Sequence, residues 1–110
     1  MTKKLKTACP HNLDCDAIHK ALANPMRRQI LAWLKDPEVY FPDQDHPLDL
    51  GVCAGQIDDR CGLSQSTVSV HLATLQKADL IVPRKVGQWV FYKRNDAVIQ
   101  AFLAAINGDL

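Results

Sequence analysis

Residues 62–78 decide the fold, and they read Gly-Leu-Ser-Gln-Ser-Thr-Val-Ser-Val-His-Leu-Ala-Thr-Leu-Gln-Lys-Ala. Val68, Leu72 and Leu75 recur at helical spacing and predict a helix with one buried apolar face. Ser64 is suited to cap this helix, because its hydroxyl can accept a hydrogen bond from a free N–H of the first turn. The opposite face is small, neutral or basic, and it comprises Ser66, Val70, Ala73, Thr74 and Lys77, with Thr67 at its edge.

A helix with such a face fits the major groove of DNA, which is about 12 Å wide, and can meet base edges and phosphates through its N-terminal residues. A surface helix that merely covers a core has the same periodicity. The choice between the two interpretations therefore depends on the segments that flank the helix.

The flanking segments predict a winged helix-turn-helix. Residues 52–61 are predicted to form the preceding helix, which Gly62 ends, and two short helices joined by a tight glycine turn are typical of this motif. Residues 81–85 and 89–93 are rich in β-branched and aromatic side chains, and Gly87 lies between them, which indicates a β-hairpin. A basic hairpin directly after a helix-turn-helix is a wing.

The remaining segments complete one domain. Residues 1–13 have no apolar period and predict a flexible N-terminal arm, whereas residues 14–110 predict a single DNA-binding and dimerisation domain. Helices are predicted over residues 14–23, 25–35 and 95–107, with Asn24 capping the second and Arg27 and Arg28 pointing outward. The last helix is more apolar than a monomer needs, so part of it is expected to form a dimer contact.

Residues 36–50 contain three prolines and predict a long loop. Its Val39, Tyr40 and Phe41 either pack on the body of the protein or line a pocket for a small ligand. The predicted fold class is therefore mainly α, an α+β winged helix-turn-helix of about five helices with a two-stranded β-hairpin wing between the last two.

Composition and charge exclude several classes of protein. No apolar run approaches the ~18 residues of a membrane span, and no apolar signal core follows the basic N-terminus, so a cytoplasmic protein without a membrane partner is expected. The net charge is only +1, but seven acidic residues and no Lys or Arg lie within residues 36–59. Residues 64–94 hold five basic residues and Asp79 as the single acidic one, which is the charge pattern that phosphate binding needs.

An enzyme is not expected, because the chain has neither a glycine-rich nucleotide loop nor a cysteine–histidine or paired-carboxylate motif. A winged helix used only for protein–protein contact is the alternative to DNA binding, since a fold alone does not determine function.

Three segments resemble the ArsR-type (arsenical-repressor) family of winged-helix regulators. Ala21-Leu-Ala-Asn-Pro-Met-Arg-Arg-Gln-Ile-Leu31 resembles the opening motif of that family, residues 64–75 its recognition helix, and residues 80–92, with Gly87 in the turn, its wing. The resemblance covers roughly residues 15–107. It implies a homodimeric repressor, paired through its first and last helices, that leaves its operator when an effector binds or a thiol reacts. A two-fold dimer implies an inverted repeat in the operator DNA.

The resemblance also implies which residues meet DNA. Ser66, Thr67 and Val70 are the candidates for reading base edges, whereas Gln65 and Ser69 are expected to reach the DNA backbone. His71 lies nearer the apolar face, which favours a packing or hydrogen-bonding role over base reading. The full predicted DNA-binding set, including wing residues for phosphates or the minor groove, is Ser64, Gln65, Ser66, Thr67, Ser69, Val70, His71, Thr74, Arg84, Lys85 and Gln88.

The candidate sensor thiols are Cys9, Cys15, Cys53 and Cys61. Thiolates suit thiophilic ions such as Zn²⁺, Cd²⁺, Pb²⁺ and As(III). Metal-sensing members of the family carry a Cys-x-Cys pair before the recognition helix, but here Gly55 replaces the second cysteine. A site from Cys9, Cys15 and Cys53, with His11, is the candidate that remains, because the last helix carries no histidine for the other metal site of the family.

Two alternatives to a metal site stay open. In a thiol switch, Cys53 and Cys61 cannot pair on one intact helix, since eight residues span ~12 Å and a disulfide needs Cα atoms within ~7 Å. Cys9 with Cys15, or an arm cysteine with Cys53, could pair instead. The cysteines could also be buried small hydrophobes, in which case the effector would be a small organic ligand.

Overall fold

The computed structural model of the chain describes residues 13–110, so the predicted arm lies outside the described residues except for Leu13, which is buried in the core. The elements follow the order expected for a winged helix-turn-helix, and the predicted fold class is confirmed. They are α1 (Cys15–Leu22), α2 (Pro25–Lys35), α3 (Pro37–Tyr40), a 3₁₀ turn (Leu48–Leu50), β1 (Val52–Cys53), α4 (Ala54–Cys61), α5 (Gln65–Lys77), β2 (Ile81–Val86), β3 (Trp89–Arg94) and α6 (Asp96–Asp109).

Side-chain caps set the start of four helices. Asn24 accepts hydrogen bonds from the backbone N–H groups of Met26 and Arg27, and Pro25 occupies the first helical position, as predicted. Ser64 accepts from the N–H of Thr67 and begins α5 in the predicted place, and Asp14 and Asn95 cap α1 and α6 in the same way. These local bonds explain why the boundaries of these helices can be read from the sequence.

The prediction of a helix over residues 52–61 is wrong at its first two residues. Val52 and Cys53 are extended and form β1, which pairs antiparallel with β3 in the register Val52 to Tyr92 and Cys53 to Phe91. The helix starts only at Ala54 and ends at Gly62, whose φ of 67° is left-handed. The wing is therefore part of a three-stranded sheet in the order β1-β3-β2, with β3 in the centre.

The core lies between the helices and one face of this sheet. Val68, Leu72 and Leu75 of α5 are buried, as predicted, and Leu80 and Ile81 at the root of the wing are buried with them. A fully buried aliphatic side chain of this kind contributes about 1.5–3 kcal/mol. This packing fixes the rotation of α5 about its axis and leaves the opposite face in solvent.

The predicted loop over residues 36–50 is shorter than expected, because α3 and the 3₁₀ turn occupy part of it. Phe41 is buried and packs edge-on against Trp33, with ring centroids 6.5 Å apart. Tyr40 is half-buried, whereas Val39 is 67% exposed and does not pack on the body. Within residues 13–110, no helix is both long and apolar enough to cross a membrane.

Candidate nucleic-acid interface

The first turn of α5 carries a cluster of three exposed hydroxyl groups. The Ser64 Oγ lies 2.8 Å from the Thr67 Oγ1 and 3.3 Å from the Ser66 Oγ. A hydroxyl can rotate to donate or accept, so this cluster can meet a phosphate oxygen or either kind of base-edge group. Its position at the N-terminus of a helix adds a favourable field for phosphate.

The next turns of α5 present a mixed surface. Gln65 and Ser69 are exposed, and Val70 is 63% exposed, which leaves its methyl groups free to contact a thymine methyl. Thr74 is half-buried, and its Oγ1 donates to the backbone oxygen of Val70 over 2.9 Å. That bond uses the hydroxyl proton of Thr74 within the helix, so Thr74 has less freedom to bind a partner than the exposed residues of the predicted set.

Arg27 joins α5 to the end of α1, and the prediction that it points outward is wrong. Its Nε donates to the Ala21 oxygen over 2.7 Å and its Nη2 to the Lys20 oxygen over 3.2 Å. Its Nη1 lies 3.2 Å from the Nδ1 of His71. Three different segments, α1, α2 and α5, are thus held by one guanidinium group.

This contact also determines the proton position on His71. A guanidinium group can only donate, so the Nδ1 of His71 accepts and the proton of the neutral ring lies on Nε2. Burial, and then the positive charge of Arg27, lower the pKa of His71 from its ordinary value of 6.5. The half-buried, hydrogen-bonded position agrees with the packing role that the helical pattern favours for His71.

The wing supplies the exposed positive charge. Arg84, Lys85 and Gln88 are all exposed on β2 and the turn after it, where Gly87 has the positive φ of 60° that a tight hairpin needs. Arg94, by contrast, is half-buried and forms an ion pair with Asp96, with 3.1 Å between Nε and Oδ1. Of the five basic residues in residues 64–94, Arg94 is therefore neutralised by its neighbour, Arg84 and Lys85 are exposed toward the wing tip, and Lys77 and Lys93 are exposed at the end of α5 and near the wing root.

The structure separates the four candidate thiols. Cys9 and His11 lie outside the described residues, and Cys15 is disulfide-bonded, so a thiolate site that includes Cys15 requires its reduction. Cys53 and Cys61 are free, and burial, together with the charge of Asp58, raises the pKa of the Cys61 thiol. Across residues 13–110, no group of three or more His, Cys, Asp or Glu side chains is placed to hold a metal ion.

In the loop over residues 36–50, Gln44 and His46 make contacts that the sequence pattern does not predict. The Gln44 side chain donates to the backbone oxygens of His46 and Gly51, and it accepts from the N–H of Cys53 over 2.8 Å. His46 packs against the rings of Trp89 and Phe91, with centroids 5.2 and 5.1 Å away. Trp89 thus contacts the loop in addition to pairing with Val86 in its own hairpin.

The family model described as "Bacterial regulatory protein, arsR family" matches residues 52–82, which span β1, the helix-turn-helix and the start of the wing. The chain is 40% identical over 84 residues to the uncharacterized HTH-type transcriptional regulator YbzH of Bacillus subtilis, covering 74% of this chain and 84% of that protein. It is 34% identical over 88 residues to the transcriptional activator HlyU of Vibrio cholerae, covering 80% and 69% of the two chains.

Two further similarities extend this group. The transcriptional repressor SdpR of Bacillus subtilis is 30% identical over 83 residues, covering 76% of this chain and 78% of that protein. The homodimeric winged helix-turn-helix domain Mb0332 of Mycobacterium bovis superposes with a TM-score of 0.60 at 25% identity, over 86% of this chain and 77% of that chain. These relatives are named as regulators and not as enzymes. By this similarity and by its fold, the chain belongs to the arsR family of bacterial regulatory proteins.

Proposed function

We propose that the chain is a homodimeric transcriptional repressor that binds operator DNA through α5 and the wing. The observation that carries this proposal is the exposed hydroxyl cluster of Ser64, Ser66 and Thr67, on a helix whose opposite face is locked into the core. In this assignment the cluster and Val70 read base edges, and Arg84 and Lys85 bind phosphates on either side of the groove. The proposed domain is residues 14–110 together with the buried Leu13, and the proposed arm is residues 1–12.

Two observations support a dimer formed through α1 and α6. Phe102 and Ala105 of α6 are buried toward the body of the chain, whereas Leu103 on the same helix is 51% exposed. His19 of α1 packs edge-on against Phe102, with 5.1 Å between ring centroids, so the two helices are neighbours. The homodimeric Mb0332 domain has the same fold. A two-fold dimer would present two copies of α5 to an inverted repeat in the DNA.

Repression, rather than activation, is the direction that we propose, as in SdpR, although HlyU is named an activator. A protein that covers an operator blocks transcription without needing a further contact. Release would follow thiol oxidation, an electrophile, or a thiophilic ion such as Zn²⁺, Cd²⁺, Pb²⁺ or As(III), acting at Cys53 together with Cys9, Cys15 and His11. A regulator of this kind would act in the cytoplasm.

Fluorescence anisotropy of labelled duplex from the upstream region of its own gene tests the proposal. The reduced, metal-free chain is expected to bind this duplex more tightly than random DNA, with an affinity that falls steeply as salt is raised, because bound cations are released. The titration is then repeated after a mild thiol oxidant and, separately, after a thiophilic metal. Absent or salt-insensitive binding to every duplex would instead indicate a protein-contact module.

A further inference from the structure

A cavity of about 200 Å³ lies between the loop, the start of α4 and the wing strand β3. Its walls include Asp45 and His46 from the loop, Cys53 and Asp59 from β1 and α4, and Trp89 from β3. At a ~30 Å³ share of liquid volume for each water molecule, this space corresponds to about seven of them. It is smaller than the roughly 300–1,000 Å³ of drug-sized sites, so it suits a small ligand.

The charge around the cavity selects a cation. Among residues 13–110, no Lys or Arg lines the cavity, whereas two of its wall residues, Asp45 and Asp59, carry carboxylates and belong to residues 36–59, which hold seven acidic side chains. The nearest basic residue in sequence is Arg60, and its guanidinium group lies over the rings of Trp33 and Tyr40, 5.2 and 4.9 Å from their centroids. It also donates to the Tyr40 oxygen, so it is held away from the cavity wall.

Two further wall groups are available to a ligand. The Cys53 side chain is only 8% exposed, its thiol is free, and no described residue forms a hydrogen bond with it. Trp89 is 43% exposed, and an indole ring attracts a cation that lies over its face. The side chain of Gln44, by contrast, has already used its amide oxygen and nitrogen in binding the backbone.

The groups that line the cavity indicate the chemical class of its ligand. A metal ion needs three or more ligands at fixed geometry, and residues 13–110 offer no such group. An alkylated ammonium ion needs no directed hydrogen bonds, since its charge is spread over methyl groups that pack against an indole and a thiol. We propose that this cavity binds a small alkylated ammonium ion, held between the indole of Trp89 and the carboxylates of Asp45 and Asp59.

The same cavity would connect the ligand to DNA binding, and this step rests on the proposed function. Trp89 is the first residue of β3 and pairs with Val86 beside the wing turn. Trp89 packs against His46, which belongs to the loop over residues 36–50. The Gln44 side chain of the same loop is hydrogen-bonded to the N–H of Cys53 in β1. A cation held between the indole of Trp89 and the carboxylates of Asp45 and Asp59 would shift Trp89 relative to its contact with His46, and would thereby change the position of Arg84 and Lys85 relative to the phosphates.

The test is a choline titration of the unmodified chain in ¹H–¹⁵N spectra at constant ionic strength, without DNA. The indole N–H signal of Trp89 is expected to shift and saturate, while that of the buried Trp33 stays unchanged. The matched control ligand is 3,3-dimethylbutan-1-ol, which has the shape of choline but no charge, and it is expected to leave both signals in place. Asp59→Asn should weaken the binding of choline by about three- to tenfold. Asp49→Asn, which alters a carboxylate outside the cavity wall, should leave it unchanged.

Equal shifts with choline and its neutral analogue, no saturation, or equal weakening by Asp49→Asn would each overturn the proposal. The DNA step is measured separately, as a change of at least about twofold in operator affinity with choline but not with the neutral analogue. DNA binding without a response of Trp89 would refute the ligand site alone. A response of Trp89 in a chain that binds no duplex would refute the proposed function alone.

Discussion

Arg27 is the residue whose role differs most from expectation. Two of its guanidinium bonds end on the carbonyl oxygens of Lys20 and Ala21, in the last turn of α1, and the third ends on His71 of the recognition helix. Helix C-termini leave carbonyl oxygens without partners, and an arginine satisfies them well. Through this one side chain, a displacement of the proposed dimer helix would be transmitted to the proposed DNA-reading helix.

The Arg27 contact makes stability depend on pH through His71. Because burial and Arg27 lower the pKa of His71 below 6.5 in the folded chain, the unfolded chain binds more protons between that lowered pKa and pH 6.5. The free energy of unfolding is therefore expected to fall as the pH falls through this window. Urea unfolding at several pH values is measured for the wild type and for His71→Asn, whose side chain cannot titrate. The difference between the two gives the part of the pH dependence of the unfolding free energy that is due to His71.

A second readout checks the cause. The pKa of His71, measured by NMR, is expected to lie below 6.5 and to rise in Arg27→Ala, because a positive neighbour is lost and water gains access. Arg28→Ala is the matched control, since Arg28 is exposed and donates to the Leu22 oxygen instead of to His71. A pKa at or above 6.5 in the wild type would contradict the assigned contact.

At the scale of elements, β1 is the shortest, with two residues, and the backbone just before it approaches the backbone of β3 closely. Gly51 precedes it with a φ of 110°, and a Cβ built there would lie 2.8 Å from the Tyr92 oxygen in β3. Gly51→Ala is therefore expected to cost about 1–3 kcal/mol of unfolding free energy from backbone strain alone. Gly55→Ala, within α4 and with nothing within 4 Å of the added Cβ, should instead gain about 0.5–1 kcal/mol. Equal effects of the two substitutions in urea unfolding would contradict the close approach.

Substitutions in the wing and in α5 are expected to change different properties of DNA binding. Arg84→Ala should weaken binding to operator and random duplex alike and reduce the salt slope by about one, because it removes a phosphate contact. Thr67→Ala should reduce the discrimination between the two duplexes, with a loss of about 1–3 kcal/mol on the operator. Anisotropy titrations at several salt concentrations measure both. A change of sequence preference caused by Arg84→Ala alone would reverse these assignments.

The elements that could be predicted from the sequence are those stabilised within a few residues. Asn24 and Ser64 cap their own helices, and the spacing of Val68, Leu72 and Leu75 reports the buried face of α5 directly. β1 could not be predicted, because its two residues owe their extended form to partners about forty positions later in β3. The Gln44 bonds join residues up to nine positions apart across the loop, and the cavity needs Trp89 of β3 beside the loop, so neither follows from a helical or strand period.

In the candidate site, too, the features that depend on nearby residues could be predicted, and those that depend on distant residues could not. The exposed face of α5 and the charge of Arg84 and Lys85 follow from periodicity and composition, and the structure exposes every residue of the predicted DNA-binding set except His71 and Thr74, which are half-buried. The contacts of Arg27 do not follow from the sequence, because an arginine next to an apolar helical face has the pattern of a solvated side chain. Its partners are carbonyl oxygens and a histidine 44 residues away, and a helical wheel contains neither.

At the scale of the whole molecule, the proposed dimer can be separated from the stability of the fold. Leu103 is half-exposed on α6, so Leu103→Glu should leave the monomer folded and raise the dimer dissociation constant by at least about tenfold, since a charge would be buried in the contact. Val39→Glu is the control, because Val39 is as apolar and more exposed but lies on α3. Sedimentation velocity at micromolar concentration measures both. An unchanged dimer in Leu103→Glu would place the contact elsewhere.

The central position of β3 has a consequence for the timing of local opening. Near the root of the wing, Phe91 and Tyr92 have a neighbouring strand on each side, whereas near the tip Trp89 and Val90 pair with β2 alone. Amide hydrogens at the root should therefore exchange with solvent only when the whole domain unfolds, and those around Gly87 should exchange within the native state. The hairpin is therefore expected to be rigid where it leaves the domain and flexible at its tip, where it would contact the nucleic acid.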